Sequence, residues 1–312
     1  MKYAWASITK GCTNFGNYQI EYTLKNLLQQ EGLKTEPSFI FDAFSVQNTD
    51  TIEKINALDF LIISGCTTLT IKHYPGIKSI LEQIKVPIYN LGAAFFGEPD
   101  AESLAYYQYF YQPIGTRDPI SSQYLSDNQV ANILIGCPTL FSGEAQKFQV
   151  RSNKKIVCIF GLKETQKQQK IVEQLLKQDY EISFIVQEEF QKEFINHRKI
   201  KKIIYRPENL ISEISGARLV ITGRLHGALP AISLGTPVFF TQTIEDSRFS
   251  LLDYLEIKKF DINDSKIDSY LQYQLENPAL CGSKETFNKV GALKNKFKCY
   301  VREILKKEKI IE

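Results

Sequence analysis

The sequence predicts an α/β protein of two doubly wound, Rossmann-like domains facing a cleft. Short apolar, β-branched runs alternate with amphipathic stretches along nearly the whole chain, as βαβ units do. That alternation lapses once, between residues 142 and 155, where the chain turns polar and aperiodic like a linker. The 312 residues, 43% of them hydrophobic, suit two domains of about 150 residues, each large enough to bury its own core.

In the first half the runs 3–8, 38–42, 60–64, 87–91, 114–117 and 132–135 read as strands, with helices between them, notably 18–30 and 72–83. The linker sets the domain limits at 1–145 and 146–312. Beyond it, 156–160, 182–186, 202–205, 219–222 and 238–241 read as a second series of strands. Tandem doubly wound domains take ligands beyond the carboxyl ends of their strands, here a cleft between the halves, an architecture that is glycosyltransferase-B-like. The last stretch, 285–309, repeats apolar residues in steps of three and four, from Phe287 to Leu305, and so predicts a long packed helix. Its other face carries Lys289, Lys294, Lys296, Lys298, Arg302, Lys306 and Lys307. That face admits peripheral contact with an anionic membrane, although a solvated face on a docked helix is the plainer reading.

Composition narrows the function. With 38 basic and 35 acidic residues the formal charge is +3, too balanced to argue for nucleic acid as a partner. The first eight residues read as a strand rather than a secretion signal, and no apolar run approaches the ~18 residues of a membrane span. Six cysteines lack any Cys-x-x-Cys pair and there are three histidines, which argues against a zinc cluster and for no metal. Cys66, Cys137 and Cys158 lie in or beside apolar runs, and the cysteine usage as a whole fits the reduced cytoplasm.

The most informative stretch is 220–238. Val220 to Thr222 ends a buried strand, Gly223 releases a turn, and Arg224 to Leu234 is helical, closed by Gly235 and Pro237. At the helix start the backbone N–H groups, Leu225 and Gly227 among them, join the helix dipole, the Arg224 fork and the His226 ring in a site suited to phosphate or carboxylate. An arginine paired to a carboxylate and a histidine capping a strand would be the structural alternative, but the carboxyl end of a strand is where open α/β sheets bind ligands. Arg117 follows a strand and precedes Asp118-Pro119, a good helix opening, so a salt bridge to Asp118 stands level with a binding role. The loop 11–17, with Asn14 and Asn17, is not Gly-x-Gly-x-x-Gly; it reads as lining the cleft, with a capped turn as the alternative.

The run Gly223-Arg-Leu-His-Gly-Ala228, followed by Ala231-Ile-Ser-Leu-Gly-Thr-Pro237, resembles the signature of the polysaccharide pyruvyl transferase family. Asn14-Phe-Gly-Asn17, Gly115-Thr-Arg-Asp118 with Ser122 and Leu125, and Gly136-Cys-Pro-Thr-Leu140 agree in order, so the resemblance spans roughly 10–260. It implies the same fold, and an enzyme that moves a pyruvyl group from phosphoenolpyruvate to a sugar of a polysaccharide or a lipid- or nucleotide-linked precursor. A cyclic ketal forms and phosphate leaves, with the donor a substrate and no resident cofactor. It also implies catalytic roles for His226 and Arg224, a second donor clamp at Arg117, and an acceptor side in the amino-terminal domain. Two segments depart from the family pattern: Ser64-Gly65-Cys66-Thr67 replaces a run of glycines, and the stretch from Thr241 to Arg248 replaces a tyrosine and a lysine. A sugar-nucleotide glycosyltransferase on the same scaffold is the alternative, with Glu208, Glu245 or Asp246 gripping a ribose; an inactive sugar-binding homologue is a further one.

Overall fold

The protein is represented by a computed structural model, which describes residues 2–10, 14–97, 101–152, 154–160, 165–186, 199–204, 206–242 and 246–312. The chain forms two compact units. Unit 1 holds Met1–Pro138, Asp246–Leu251 and Ala292–Glu312; unit 2 holds Thr139–Glu245 and Leu252–Gly291.

Unit 1 is built on six parallel strands, β1 (Tyr3–Ser7), β2 (Phe39–Asp42), β3 (Phe60–Ile63), β4 (Ile88–Ala93), β5 (Ile114–Thr116) and β6 (Asn132–Leu134), in the order β2-β1-β3-β4-β5-β6. Every residue of β1, β3 and β4 is buried, which is why these strands read as continuous apolar runs rather than alternating ones. Helix α1 (Phe15–Gln30) is capped by Asn14, α2 (Thr49–Asn56) by Asn48 and α3 (Pro119–Asp127) by Asp118. All six predicted strands are present, with ends shifted by two residues or fewer.

The helix expected over 72–83 is not continuous. A 3-10 turn, Ile71–His73, stops at Tyr74, and a single helical turn, Pro75–Lys78, follows. Proline pushes the residue before it out of the α region, and Tyr74 indeed sits at φ −126°, ψ 67°.

Unit 2 repeats the scheme with β7 (Lys155–Ile159), β8 (Glu181–Val186), β9 (Ile200–Ile204), β10 (Leu219–Thr222), β11 (Val238–Gln242) and β12 (Lys259–Asp261), all parallel, in the order β12-β11-β10-β7-β8-β9. Its helices include α4 (Thr165–Lys177), α5 (Pro207–Ser215), α6 (Leu225–Ser233) and α7 (Ile267–Glu276). One face of the sheet buries Ile156, Cys158, Phe184, Leu219, Ile221 and Phe239 against Ile171, Leu175 and Leu271 of the helices. The edge strand β12 escaped the sequence reading. It is three residues long and begins on a lysine, and only Phe260, stacked 4.4 Å from Phe239, marks it as part of the core.

Helix α8 (Lys284–Lys307) closes the chain, and its predicted stripe from Phe287 to Leu305 is buried. The sequence division at 145/146 assigned this helix to the second half. By contacts its residues from Ala292 onward belong to unit 1, where the Tyr300 hydroxyl donates to the carbonyl of Pro113 at 2.6 Å. Much of the basic face is engaged locally: Lys289 pairs with Glu256 at 2.9 Å, Lys298 and Arg302 pair with Glu31 at 3.8 and 2.5 Å, and Lys307 lies 3.9 Å over the Tyr111 ring. These contacts favour the docked-helix reading of that face. Among the described residues no helix is long and apolar enough to cross a membrane.

Candidate functional site

Each sheet reverses its winding once, between β1 and β3 in unit 1 and between β7 and β10 in unit 2. Open α/β sheets bind ligands at these switch points, beyond the carboxyl ends of the strands. Of the residues singled out by the sequence, Arg224 to Gly227 follow β10 and Asn14 and Asn17 follow β1, at the two switch points, whereas Arg117 follows β5, two strands from β3.

In unit 2, β10 ends on Thr222, whose hydroxyl donates to the carbonyl of Ile159 at 2.7 Å and so ties the ends of β10 and β7 together. The same oxygen accepts the backbone N–H of Arg224 at 3.0 Å, which shapes the turn into α6. Arg224 is the N-cap residue and keeps extended backbone, φ −106° and ψ 125°. Leu225 packs inward at 7% exposure, while Arg224 and His226 on either side remain half-buried. A Cβ at Gly227 would lie 2.7 Å from Thr222 Oγ1 and 3.2 Å from Ile159, so glycine lets the helix start sit directly on the strand ends. The Gly227 N–H turns back to the Arg224 carbonyl at 2.9 Å. One turn of chain thus carries a guanidinium, an imidazole and the positive end of a helix of nine residues. Glu208 lies in the first turn of α5. Glu245 lies outside the described residues.

In unit 1 the switch point is bridged by side chains. Asn17 Nδ2 donates to the carbonyl of Ile8 at 2.8 Å, just past β1, and the Cys66 thiol, just past β3, donates to Asn17 Oδ1 at 3.5 Å. Buried Glu21 fixes the same loop by accepting the N–H of Ile8 at 2.6 Å. Asn14 caps α1, its side chain accepting from Gly16 at 3.1 Å. Gly65 and Cys66 both take left-handed backbone, φ 70° and 68°, before Cys66 bridges Ala93 at the end of β4. Thr67 and the Tyr74 hydroxyl share a hydrogen bond of 2.8 Å. Burial, and then the neighbouring Cys66 thiol, hold the Tyr74 hydroxyl well above its usual range.

Arg117, just past β5, is 1% exposed, and its backbone N–H donates to Ala93 at 2.8 Å. Asp118 approaches it at 3.5 Å without forming a hydrogen bond, and Arg117 Nε and Nη2 have no hydrogen-bond partner among the described residues. Asp118 instead caps α3, Oδ1 accepting from the Ser121 N–H at 2.9 Å and the Ser250 hydroxyl at 3.3 Å. Burial raises the Asp118 carboxyl against the opposing pull of Arg117 and these hydrogen bonds. The sequence alternative of a plain Arg117–Asp118 bridge is therefore present only as a loose pair, and the guanidinium keeps donors in reserve.

The sequence offers Asp246 only as a ribose-gripping alternative and Arg248 only as the end of the divergent stretch; that the two pair within unit 1 it does not show. Asp246 grips the guanidinium of Arg248, which also stacks 4.7 Å from the Phe96 ring. An Asp two residues before an Arg was the only local signal; the rest depends on a return of the chain to unit 1. Among the described residues no three His, Cys, Asp or Glu side chains gather as a metal site requires.

The family model for polysaccharide pyruvyl transferase matches residues 14–241. The chain belongs to this family. The matched stretch contains Asn14, Asn17, Arg117 and the whole Arg224–Gly227 turn, and it ends before Asp246 and Arg248. Among solved structures, this pyruvyl transferase family member is similar to UDP-GlcNAc 2-epimerase from Methanocaldococcus jannaschii, 14% identical with a TM-score of 0.58 over 95% of this chain and 100% of that one. It is also similar to MnaA of S. aureus solved with UDP, 11% identical, TM-score 0.60, over 96% and 97%. The glycosyltransferase SnogD from Streptomyces nogalater gives 10% identity, TM-score 0.50, and 98% of each chain. These likenesses establish the fold as glycosyltransferase-B-like. No curated protein sequence matches the chain.

Proposed function

We propose that this family member transfers the pyruvyl group of phosphoenolpyruvate to a sugar of a polysaccharide or a lipid- or nucleotide-linked glycan precursor, in the cytoplasm. The observation that carries the reading is the turn from Gly223 to Gly227 at the switch point of unit 2. It presents an arginine, a histidine and a helix start at the kind of place where open α/β sheets take ligands, and this supports an anionic donor.

His226 acts as the acid. It delivers a proton to carbon 3 of the donor, the C2–C3 π electrons form the new C–H bond, and carbon 2 becomes oxocarbenium-like. A sugar hydroxyl bonds carbon 2, phosphate departs with the electron pair of its C2–O bond, and a second hydroxyl closes the ketal. Of the two hydroxyl protons released, one restores His226 and the other leaves with phosphate. Arg224, with the helix dipole, neutralises donor charge as the reaction proceeds. Arg117, buried and only loosely paired, is assigned to anionic charge on the substrates. Asp246, gripped by Arg248, is ill placed to hold a ribose as the glycosyltransferase alternative requires.

Calorimetric titration with phosphoenolpyruvate and with UDP-, GDP- and CMP-sugars, paired with a phosphate-release assay, tests this. Phosphoenolpyruvate should bind, and Arg224→Ala should weaken it by about tenfold or more, as loss of a charge-assisted contact of about 1.5–3 kcal/mol does. His226→Ala should keep donor binding while turnover falls by about 10²–10⁴-fold. Normal turnover in His226→Ala removes its role. Binding of one sugar nucleotide with silence toward phosphoenolpyruvate makes the protein a glycosyltransferase.

A further inference from the structure

The six residues Asp246–Leu251 interrupt unit 2 in sequence and belong to unit 1. They are pinned at two points. The Ser247 hydroxyl donates to the Gly97 carbonyl at 3.1 Å, beyond β4, and the Ser250 hydroxyl donates to Asp118 Oδ1 at 3.3 Å, beyond β5. Between these anchors Asp246 accepts the backbone N–H of Arg248 at 2.9 Å and takes its guanidinium through Nε at 2.8 and 2.9 Å and through Nη2. The Phe96 ring lies 4.7 Å from the centre of that guanidinium, and His73 braces Phe96 edge-on at 5.1 Å.

A long side chain held by a carboxylate and a ring has lost most of its rotamer freedom before any ligand arrives, so little ordering cost remains. The grip uses Nε and Nη2. Arg248 Nη1 makes no hydrogen bond among the described residues, and with the side chain 34% exposed the group is reachable. Arg117 adds Nε and Nη2, buried and without hydrogen bonds. Both cations act on Asp246: burial would raise its carboxyl, but its hydrogen bonds from Arg248 and the charges of Arg248 and Arg117 hold it below the usual carboxylate range, while Arg117 also faces Asp118 at 3.5 Å. The groups left over are the guanidinium donors Arg248 Nη1 and Arg117 Nε and Nη2, with one buried acceptor, Asp118 Oδ2, 3.5 Å from Arg117 Nε. Burial raises the Asp118 carboxyl, and the two guanidiniums offer only N–H, so donors predominate and favour the acceptor oxygens of an anion over the mixed hydroxyls of a neutral sugar.

We propose that Arg248, positioned by Asp246 and Phe96, joins Arg117 in an oxyanion seat at the carboxyl ends of β4 and β5 in unit 1. The seat takes a phosphoryl or carboxylate group. For the identity of that group it rests on the pyruvyl-transfer reading, in which the anion is phosphoenolpyruvate or the diphosphate of a nucleotide- or lipid-linked acceptor. Arg248 lies beyond the family match, at the end of the stretch in which this chain replaces the tyrosine and lysine of the family pattern, so the matched motif does not itself supply this cation.

The test is calorimetric titration of the full chain, wild type against Arg248→Ala and Arg248→Lys, with inorganic phosphate, phosphoenolpyruvate and UDP as separate probes. Arg248→Ala should weaken at least one probe by about tenfold, and Arg248→Lys should recover part of it, having the charge without the fork. The thermal midpoint of Arg248→Lys should stay at the wild-type value, which keeps the test valid if the alanine variant folds poorly. A loss confined to phosphoenolpyruvate assigns the seat to the donor; a loss confined to UDP assigns it to a diphosphate. Arg248-dependent binding of UDP or phosphate with silence toward phosphoenolpyruvate keeps the seat and sinks the pyruvyl-transfer reading. Equal affinity of wild type and both variants for all three probes, or no binding of any probe to wild type, overturns the seat.

Discussion

Cys66 shows how a single residue reports on its surroundings. At φ 68° it pays the Cβ penalty that glycine avoids, about 1–2 kcal/mol, and it does so at a switch point beside Asn17. Gly65 before it cannot share that burden, because a Cβ there would fall 2.3 Å from the Leu91 carbonyl oxygen. Cys66→Gly should therefore leave stability within about 1 kcal/mol of wild type, while Cys66→Val should cost about 2 kcal/mol or more. Urea unfolding measures both, and a valine variant as stable as wild type would mean that the left-handed conformation is absent. Local pattern sufficed for the unit-2 turn because Gly223, Arg224, Leu225, His226 and Gly227 are consecutive in the chain and form one turn. It did not suffice for Cys66 or Arg248, whose partners lie 49 residues away at Asn17 in one case and at Phe96 in the other.

Among the elements, strands were the most legible, because parallel strands covered on both faces become runs of apolar residues that nothing else in the chain imitates. Helical spacing misled at 72–83, where the apolar rhythm persists but Pro75 forces Tyr74 out of the helix. Strand β12 was lost for the opposite reason, a lysine at an edge position too short to show a rhythm. The other half of the same sheet, from β7 to the edge strand β9, carries a charge cluster with a readable consequence. Glu213 of α5 meets Lys155 of β7 at 2.6 Å, Lys201 of β9 at 2.9 Å and the Ser183 hydroxyl of β8 at 2.9 Å. Burial alone would raise its carboxyl, but these hydrogen bonds outweigh burial and hold it below the usual glutamate range. A depressed folded-state pKa stabilises above the unfolded value and ceases to do so as pH falls through the folded one. Glu213→Gln should thus lower the melting temperature at neutral pH, and the gap from wild type should close in acid. Melting curves across pH decide it; two profiles that run parallel would exclude the charge as the cause.

For the molecule as a whole, two compact α/β bodies were evident from composition and alternation, but their membership was not. The sequence could show a linker near 145; it could not show that Asp246–Leu251 and Ala292–Glu312 rejoin unit 1, because that depends on which surface an amphipathic helix finds. From Ala292 onward α8 buries Leu293, Phe297, Tyr300, Val301, Ile304 and Leu305. At about 1.5–3 kcal/mol for each large apolar side chain, that burial rivals the whole margin of a typical domain, about 5–15 kcal/mol. A chain ending at Gly291 should therefore lack a cooperative transition for unit 1, seen as rapid limited proteolysis within 1–138, while wild-type resistance would show that the helix is dispensable. The same arrangement bears on how the protein is made. The strands of the first sheet leave the ribosome early, yet the helix whose Tyr300 packs against Gly115 of β5 is translated only after all of unit 2. The nascent sheet must wait, partly uncovered, through the synthesis of the rest, which makes the pace of translation and the presence of chaperones part of what this fold demands from its cell.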